Sequence, residues 1–283
     1  MNQPSIFYYR KPAQQSVFPG AHPGKIVGGG KLFKHHVPLI SSPDLRHIDL
    51  RASVLDPFEN FQIKAFHQQS QLNLFLLADL SASMAYQGEW SKQNIIVDCL
   101  QSIAKSAYAH GDRFGFIGSG KTFSHSMVIS PANQRQGQVT ELAKRLKTLQ
   151  YNGSTESFLQ AVNYLPSKAS LVFLLSDFHL PMAVIQQQMQ RLTQHTVVPL
   201  VLWDRQEYSN LPNWGLVKLA DMEQNKSRTL FMRPTLKERI IQTFEQRKQH
   251  LQHCFRGFGC EPLFLEKGYR AELMTQYFLQ HAA

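Results

Sequence analysis

Three side chains that carry oxygen follow a strongly apolar segment in the first third of the chain. Residues 74–78 contain no charged residue, which is typical of a strand buried on both faces. Asp79, Ser81 and Ser83 come next at alternate positions, where this strand would reach the carboxyl edge of a sheet. A carboxylate and two hydroxyl groups are hard oxygen ligands of the kind that Mg²⁺ prefers. The spacing therefore predicts a metal site on a single tight turn.

Two other segments could complete this site. Asp177 follows Ser176 at the end of a second apolar run, residues 171–175, and parallel strands end at the same edge of a sheet. Thr155 closes the short segment Gly-Ser-Thr that stands directly before a predicted helix. Asp177 and Thr155 are therefore the additional candidate positions.

The order of elements predicts an α/β fold with a doubly wound, mostly parallel sheet flanked by helices. Strands are expected at residues 74–78, 113–117, 122–129, 171–175 and 197–203, and helices at 91–110, 136–149, 156–165, 183–193, 236–254 and from 270. Three regions follow from this pattern. They are an N-terminal elaboration of loops and strands (1–70), an α/β core (71–225) and a basic C-terminal helical segment packed on the core (226–283).

Charge and composition limit the setting of the protein. The 283 residues carry a net charge of +10, with basic flanks around a nearly neutral middle. This pattern suits an acidic protein partner, nucleic acid or an anionic membrane surface, and equally a solubilising surface. We expect a cytoplasmic protein without a membrane span, because no apolar run approaches about 20 residues and the N-terminus has no signal-peptide core. The three cysteines fit a reducing compartment.

In five segments the sequence resembles the von Willebrand factor A domain, and specifically the bacterial family known as the domain of unknown function 58. The segments are DLSASM (79–84), GDRFGF (111–116), GST (153–155), LLSDF (174–178) and PDLRHIDLRAS (43–53). The last of them is similar to the family's charged signature Arg-x-Ile-Asp-Trp, with Leu50 in place of the tryptophan. The resemblance extends over roughly residues 40–280.

The resemblance implies a metal-ion-dependent adhesion site (MIDAS) and a function in protein binding. Ser81, Ser83 and Thr155 would coordinate Mg²⁺ directly, with Mn²⁺ or Ca²⁺ as alternatives, while Asp79 and Asp177 would act largely through bound water. A carboxylate from a partner protein would complete the open position. The expected protein is a non-catalytic adaptor that works with a MoxR-type AAA+ ATPase in the assembly or remodelling of a client protein.

A phosphate-binding loop is the main alternative. Residues 115–122, GFIGSGKT, match the pattern G-x-x-x-x-G-K-[ST], and Asp177 ends an apolar strand as the Mg²⁺-binding Asp does in P-loop NTPases. A P-loop needs its strand before the first glycine and a helix that starts at the Lys-Thr pair. Here Gly115 lies inside a predicted strand, and residues 123–129 alternate like a second strand. A helix from Lys121 onward would favour the NTPase.

Two metal- or nucleic-acid-binding alternatives have weaker support. His250, His253, Cys254 and Cys260 lie close together but lack the paired C-x-x-C spacing of structural zinc sites. The basic tail could bind nucleic acid, although it lacks regularly interleaved aromatic residues. Its cations are Lys226, Arg228, Arg233, Lys237, Arg239, Arg247 and Lys248.

Hydrolytic chemistry would require Ser81 or Ser83 to act as a nucleophile beside a base. Neither serine stands in a G-x-S-x-G segment. His179, two residues after Asp177, is the only base that the sequence brings near this edge. The metal-dependent adaptor therefore remains the favoured interpretation.

Overall fold

The computed structural model divides the chain into two compact units. The larger contains residues 1–10, 73–109 and 113–283, and the smaller contains residues 11–72 and 110–112. The structure describes residue 6, residue 8 and residues 19–281 except 29–31, 42–46, 59, 121–126, 132–135, 152–155, 205–210 and 222–225.

The smaller unit is built on an antiparallel sheet. Its elements are β1 (Pro19–Gly28), β2 (Leu32–Pro38), α1 (Leu50–Val54) and β3 (Gln62–Ser70). The strand order is β1-β3-β2, so β3 pairs with both of the others. The sequence analysis did not identify β3.

Asp49, in the charged signature, has a local structural function. Its carboxylate accepts hydrogen bonds from the N–H groups of Arg51 and Ala52 and so caps α1. It also lies 3.1 Å from His36 Nε2 and 3.2 Å from Lys64 Nζ. The hydrogen bond from His36, with those from Ala52 and Lys64, lowers the pKa of Asp49 to about 2.

The larger unit alternates strands and helices. Its strands are β4 (Asn73–Asp79), β5 (Arg113–Ser119), β6 (Val128–Ile129), β7 (Leu171–Ser176), β8 (Thr196–Val201), β9 (Gly215–Asp221), β10 (Lys226–Met232) and β11 (Leu263–Phe264). Its helices are α2 (Lys92–Ala109), α3 (Gln136–Thr148), α4 (Glu156–Ala161), α5 (Met182–Arg191), α6 (Pro234–Gly257) and α7 (Ala271–Gln280). None of the helices in the described part of the chain is long and apolar enough to cross a membrane.

The central sheet has six strands in the order β11-β8-β7-β4-β5-β6. All neighbours pair in parallel except β5 and β6, which are antiparallel. The mostly parallel sheet with flanking helices is therefore confirmed. From β4 the chain continues to β5 on one side and later to β7 on the other, so the strand order reverses at β4. In open α/β sheets, ligands bind beyond the carboxyl ends of the strands at such a point.

Apolar side chains cover both faces of this sheet, which explains the uncharged strands. On one face, Phe75 and Leu77 of β4 belong to the same buried cluster as Phe255 of α6. On the other, Phe173 of β7 meets Phe278 of α7 edge to face, with ring centroids 6.0 Å apart. The core therefore fixes the strand ends that carry Asp79 and Asp177.

The basic tail differs from the sequence expectation. Residues Lys226–Met232, placed by the sequence in a helical segment, form β10 and pair with the unpredicted strand β9 in a separate antiparallel pair. The long helix α6 starts only at Pro234, a residue favoured in the first turn of a helix. The sequence predicted a helix only from residue 236, so β10 is a strand that the label of this region as helical did not anticipate.

Candidate metal site

Asp79 is the last residue of β4 and is completely buried. Its Oδ1 accepts a hydrogen bond of 2.9 Å from the N–H of Ser81, which shapes the turn after the strand. Its Oδ2 accepts a hydrogen bond of 2.8 Å from the hydroxyl of Ser176 at the end of β7. The carboxylate therefore joins β4, where the strand order reverses, to its neighbour β7.

The hydroxyl groups of Ser81 and Ser83 lie side by side. A short 3₁₀ helix, Ala82–Ala85, follows Ser81 and brings the two Oγ atoms to 3.1 Å from each other. Two ligands at right angles around Mg²⁺, each about 2.0–2.1 Å from the ion, lie about 2.8–3.0 Å apart. The spacing of these hydroxyls thus fits neighbouring positions of an octahedral magnesium site.

Asp177 brings a second buried carboxylate to the same cluster. It accepts a hydrogen bond of 3.3 Å from the main-chain N–H of His179, and interaction with the hydroxyl of Ser83 favours its charged form. Lys92 Nζ lies 3.3 Å from its Oδ2. Burial alone would raise the pKa of Asp177, but the charges of Lys92 and His179 and these hydrogen bonds hold it below its usual value.

The two carboxylates repel each other in this buried setting. Burial raises the pKa of Asp79 to about 7, and the negative charge of Asp177 adds to the effect. Hydrogen bonds from Ser81 and Ser176 offset only part of it. The cluster therefore has negative charge that a divalent cation would neutralise.

This repulsion predicts an unusual pH dependence of stability. Between pH 3.8 and about 7 the folded state binds more protons at Asp79 than the unfolded state does, so the free energy of unfolding falls as pH rises through this window. The positive charge of Lys92 beside Asp177 partly offsets the repulsion between the two carboxylates and so reduces this slope. Denaturant titrations in a chelator, at several pH values, should show this slope for the wild type, and Asp79→Asn should flatten it. An equal slope in both proteins would show that Asp79 is not the source of this pH dependence.

Lys92 is the site residue that sequence reasoning missed. It is the first residue of α2, and only 3% of its surface is exposed. The sequence did contain a signal, because Lys92 stands three, four and seven positions before Ile95, Ile96 and Cys99, which are all buried. A lysine on the buried stripe of a helix implies a buried anionic partner, and Asp177 is that partner.

Of the five predicted metal ligands, the structure brings four together, namely Asp79, Ser81, Ser83 and Asp177. Thr155 lies outside the described residues. Ser157, two residues later, accepts a hydrogen bond of 3.0 Å from the hydroxyl of Ser119. Ser119 is paired with Asp79 across β4 and β5, so the start of α4 is tied to the strand next to the site.

The backbone after Asp177 is held in a rare conformation. Phe178 has a φ of 51°, which is uncommon for a bulky residue. Trp203 Nε1 donates a hydrogen bond of 2.8 Å to the carbonyl of Asp177, and Arg247 donates to the carbonyls of Phe178 and Leu180. These contacts fix the direction of the Asp177 side chain.

A cavity of about 400 Å³ lies beside this segment. The ring of His179 stacks on Trp203 with centroids 5.8 Å apart and meets Phe244 edge to face, so the residue weighed as a catalytic base packs among aromatic side chains. The cavity is lined by His179, Leu180, Pro181, Thr243, Phe244 and Arg247.

Within the segment that matches the P-loop pattern, residues 115–119 belong to strand β5. Gly115 lies inside β5 opposite Phe75, and a Cβ atom there would come within 2.5 Å of the Phe75 ring. Its lack of a side chain is explained by packing. Strand β6 returns antiparallel to β5 from Val128, as a strand–turn–strand arrangement requires. Lys121 and Thr122 lie outside the described residues.

The zinc alternative has no support from geometry. Within the described residues, no group of three or more His, Cys, Asp or Glu side chains is arranged to hold a metal ion. Cys254 is buried, and the Cys260 thiol contacts the carbonyl of Phe258 at 3.6 Å. The candidate site at Asp79 therefore depends on its serine hydroxyls as well as on its two carboxylates.

The fold and the cluster define an α/β protein with a buried polar site where the order of a mostly parallel sheet reverses. The chain belongs to the family described as protein of unknown function DUF58, whose model matches residues 43–252. A search of curated proteins found no match.

Solved structures give more distant likenesses. An aerotolerance-related membrane protein from Bacteroides fragilis, crystallised with multiple mutations to serines, has 9% identity and a TM-score of 0.42 over 74% of this chain and 97% of its own. The hypothetical protein BatB from Bacteroides thetaiotaomicron has 10% identity and a TM-score of 0.43 over 75% and 98%. Proximal thread matrix protein 1 of the mussel byssus has 16% identity and a TM-score of 0.33 over 47% and 38%. Function must therefore be argued from the site itself.

Proposed function

We propose that this protein is a non-catalytic binding module whose larger unit is a von Willebrand factor A-like domain with a MIDAS-type magnesium site. Ser81 and Ser83 would hold the ion directly, and Asp79 and Asp177 would hold it largely through water. Thr155 would add a third direct ligand. The observation that carries the proposal is the convergence of two buried carboxylates and two adjacent hydroxyls at the point where the strand order reverses.

The chemistry of such a site is recognition of an anion. Mg²⁺ favours octahedral coordination and keeps several waters, so an ion held by a few hydroxyls leaves a position that a carboxylate can take. Lys92 and the main-chain N–H of His179 keep Asp177 ionised and fixed. The partner is therefore a protein that presents an exposed Asp or Glu. By the family resemblance, we propose a MoxR-type AAA+ ATPase and its client.

The other candidate functions have less support. Arg247 donates to main-chain carbonyl oxygens, Lys248 pairs with Glu266 at 2.6 Å, and Lys237 donates to Asn213 at 3.1 Å. Part of the basic tail thus stabilises the fold, which weakens the case for nucleic-acid binding. The position of Gly115 inside β5 weakens the case for an NTPase.

Removal of the two hydroxyls tests the proposal. The variant Ser81→Ala/Ser83→Ala should lose at least about tenfold in Mn²⁺ affinity and should lose metal-dependent binding to a purified MoxR-type ATPase. Isothermal titration gives the first value and a pull-down with and without chelator gives the second.

The matched control is Ser167→Ala. Ser167 is exposed and precedes β7 at the opposite edge of the sheet, so its hydroxyl is remote from the cluster. It should bind Mn²⁺ like the wild type. If the double variant also bound Mn²⁺ and the ATPase like the wild type, the two serines would not form the proposed site.

A further inference from the structure

We propose that Lys92 is a built-in cation that competes with the divalent metal for Asp177 and thereby sets the metal affinity of the site. This inference rests on the proposed function, because it concerns the same metal site. Lys92, the first residue of α2, would tune the metal affinity of the site, whereas the five predicted ligands would hold the metal.

The first support is the position of the ammonium group. Lys92 Nζ lies 3.3 Å from Asp177 Oδ2, and the side chains of the two residues are 4% and 1% exposed. The opposite oxygen, Oδ1, accepts the main-chain N–H of His179. Lys92 thus contacts the other carboxylate oxygen of Asp177, away from the hydrogen bond with the main chain of His179.

The second support is the geometry of the hydroxyl pair. The hydroxyl of Ser83 lies 3.1 Å from that of Ser81 and interacts with Asp177, so the proposed ion and the ammonium share this one carboxylate. A positive charge fixed beside a divalent ion is repelled strongly in a buried, poorly solvated setting. Binding of the metal therefore requires Lys92 to withdraw from Asp177, and the affinity falls by the cost of that exchange.

This competition would couple the metal to the partner. With Lys92 in place, the metal-free site keeps one of its two carboxylates neutralised and stays folded. A carboxylate from the partner adds a negative charge next to the ion and favours the metal-bound state. Linkage requires the reverse as well, so the metal raises the affinity for the partner by the same factor.

The experiment is an isothermal titration of Mn²⁺ into the whole chain and its variants, in buffer first cleared of metal. Lys92→Met should bind Mn²⁺ at least about tenfold more tightly than the wild type, because the competing charge is gone. Lys92→Arg keeps the charge and should bind no more tightly than the wild type. The control Lys105→Met removes an exposed charge about 20 Å farther along α2 and should leave the affinity unchanged.

Three results would overturn the inference. If the wild type binds Mn²⁺ and Lys92→Met binds it equally or more weakly, Lys92 is not a competitor, while the proposed function stands. If Lys92→Arg gains affinity as Lys92→Met does, the gain does not come from loss of charge. If neither the wild type nor Lys92→Met binds Mn²⁺ at millimolar concentration, the metal site and the inference fail together.

If Lys92→Met does not fold, a measurement on the wild type tests the competition between Lys92 and the metal. Lys92 is nearly inaccessible, so its reaction with an amine-directed acylating reagent should be slow in chelator. Saturating Mn²⁺ should accelerate acylation of Lys92 and leave the rate of acylation of Lys105 unchanged. Peptide mass spectrometry measures both rates. Equal rates at Lys92 with and without Mn²⁺ would overturn the inference.

Discussion

Replacement of Asp79 by asparagine is expected to lower Mn²⁺ affinity by about 100-fold and to leave the metal-free protein at least as stable as the wild type at about pH 8. Asparagine can still accept the N–H of Ser81 through its side-chain oxygen. It also removes the repulsion between Asp79 and Asp177 that, together with burial, raises the pKa of Asp79 to about 7. The two expected effects differ because the same negative charge disfavours the metal-free fold and favours the metal.

Metal titration and denaturant unfolding in chelator test the two effects separately. The matched control is Asp112→Asn, which alters another buried aspartate that accepts a main-chain N–H, from Leu72 at 2.9 Å. Asp112 directly precedes β5, and it is the other end of β5, at Ser119, that pairs with Asp79. It should keep the wild-type affinity. Unchanged Mn²⁺ affinity in Asp79→Asn would show that this carboxylate does not take part in metal binding.

Replacement of Lys92 by methionine is expected to have the largest effect on stability. Removing one partner of a buried ion pair costs about 3–5 kcal/mol, because the other charge remains buried without compensation. Here two carboxylates would remain, Asp79 and Asp177, both almost fully buried. Domains of this kind have about 5–15 kcal/mol of stability, so the variant should still fold but unfold at much lower denaturant concentration.

A double-mutant cycle identifies the origin of this cost. The variant Lys92→Met/Asp177→Asn removes both charges and should recover most of the lost free energy of unfolding, measured in chelator at about pH 8. A methionine side chain fills nearly the volume of lysine, so packing changes little. If the double variant were as unstable as the sum of the two single variants, the 3.3 Å contact would not be an energetic pair.

The sequence predicted the parts of the fold that are dictated by burial. The uncharged run before Asp79 forms β4. The run before Asp177 forms β7, which pairs with β4 in the sheet. The apolar stripe that starts after Ser91 is α2. Runs of this kind have one stable environment, the interior of a parallel sheet or the buried face of a helix, so local pattern and tertiary structure agree.

Other features could not be predicted because they depend on strand pairing, or on contacts distant in sequence, that no local apolar pattern reveals. Strands β9 and β10 are defined by their pairing with each other, and β10 begins with four polar residues, Lys-Ser-Arg-Thr. The rare backbone of Phe178 is held by Trp203 and Arg247, which follow it by 25 and 69 residues. The pairing of Lys92 with Asp177 spans 85 residues. Periodicity could show that Lys92 is buried, but only the folded chain shows its partner.

Anomalous diffraction from crystals of the protein soaked in Mn²⁺ tests the proposed metal site most directly. We expect a peak next to the hydroxyls of Ser81 and Ser83, with the carboxylates of Asp79 and Asp177 around it. Absence of a peak there at saturating Mn²⁺, or a peak only elsewhere in the molecule, would contradict the metal-dependent adaptor.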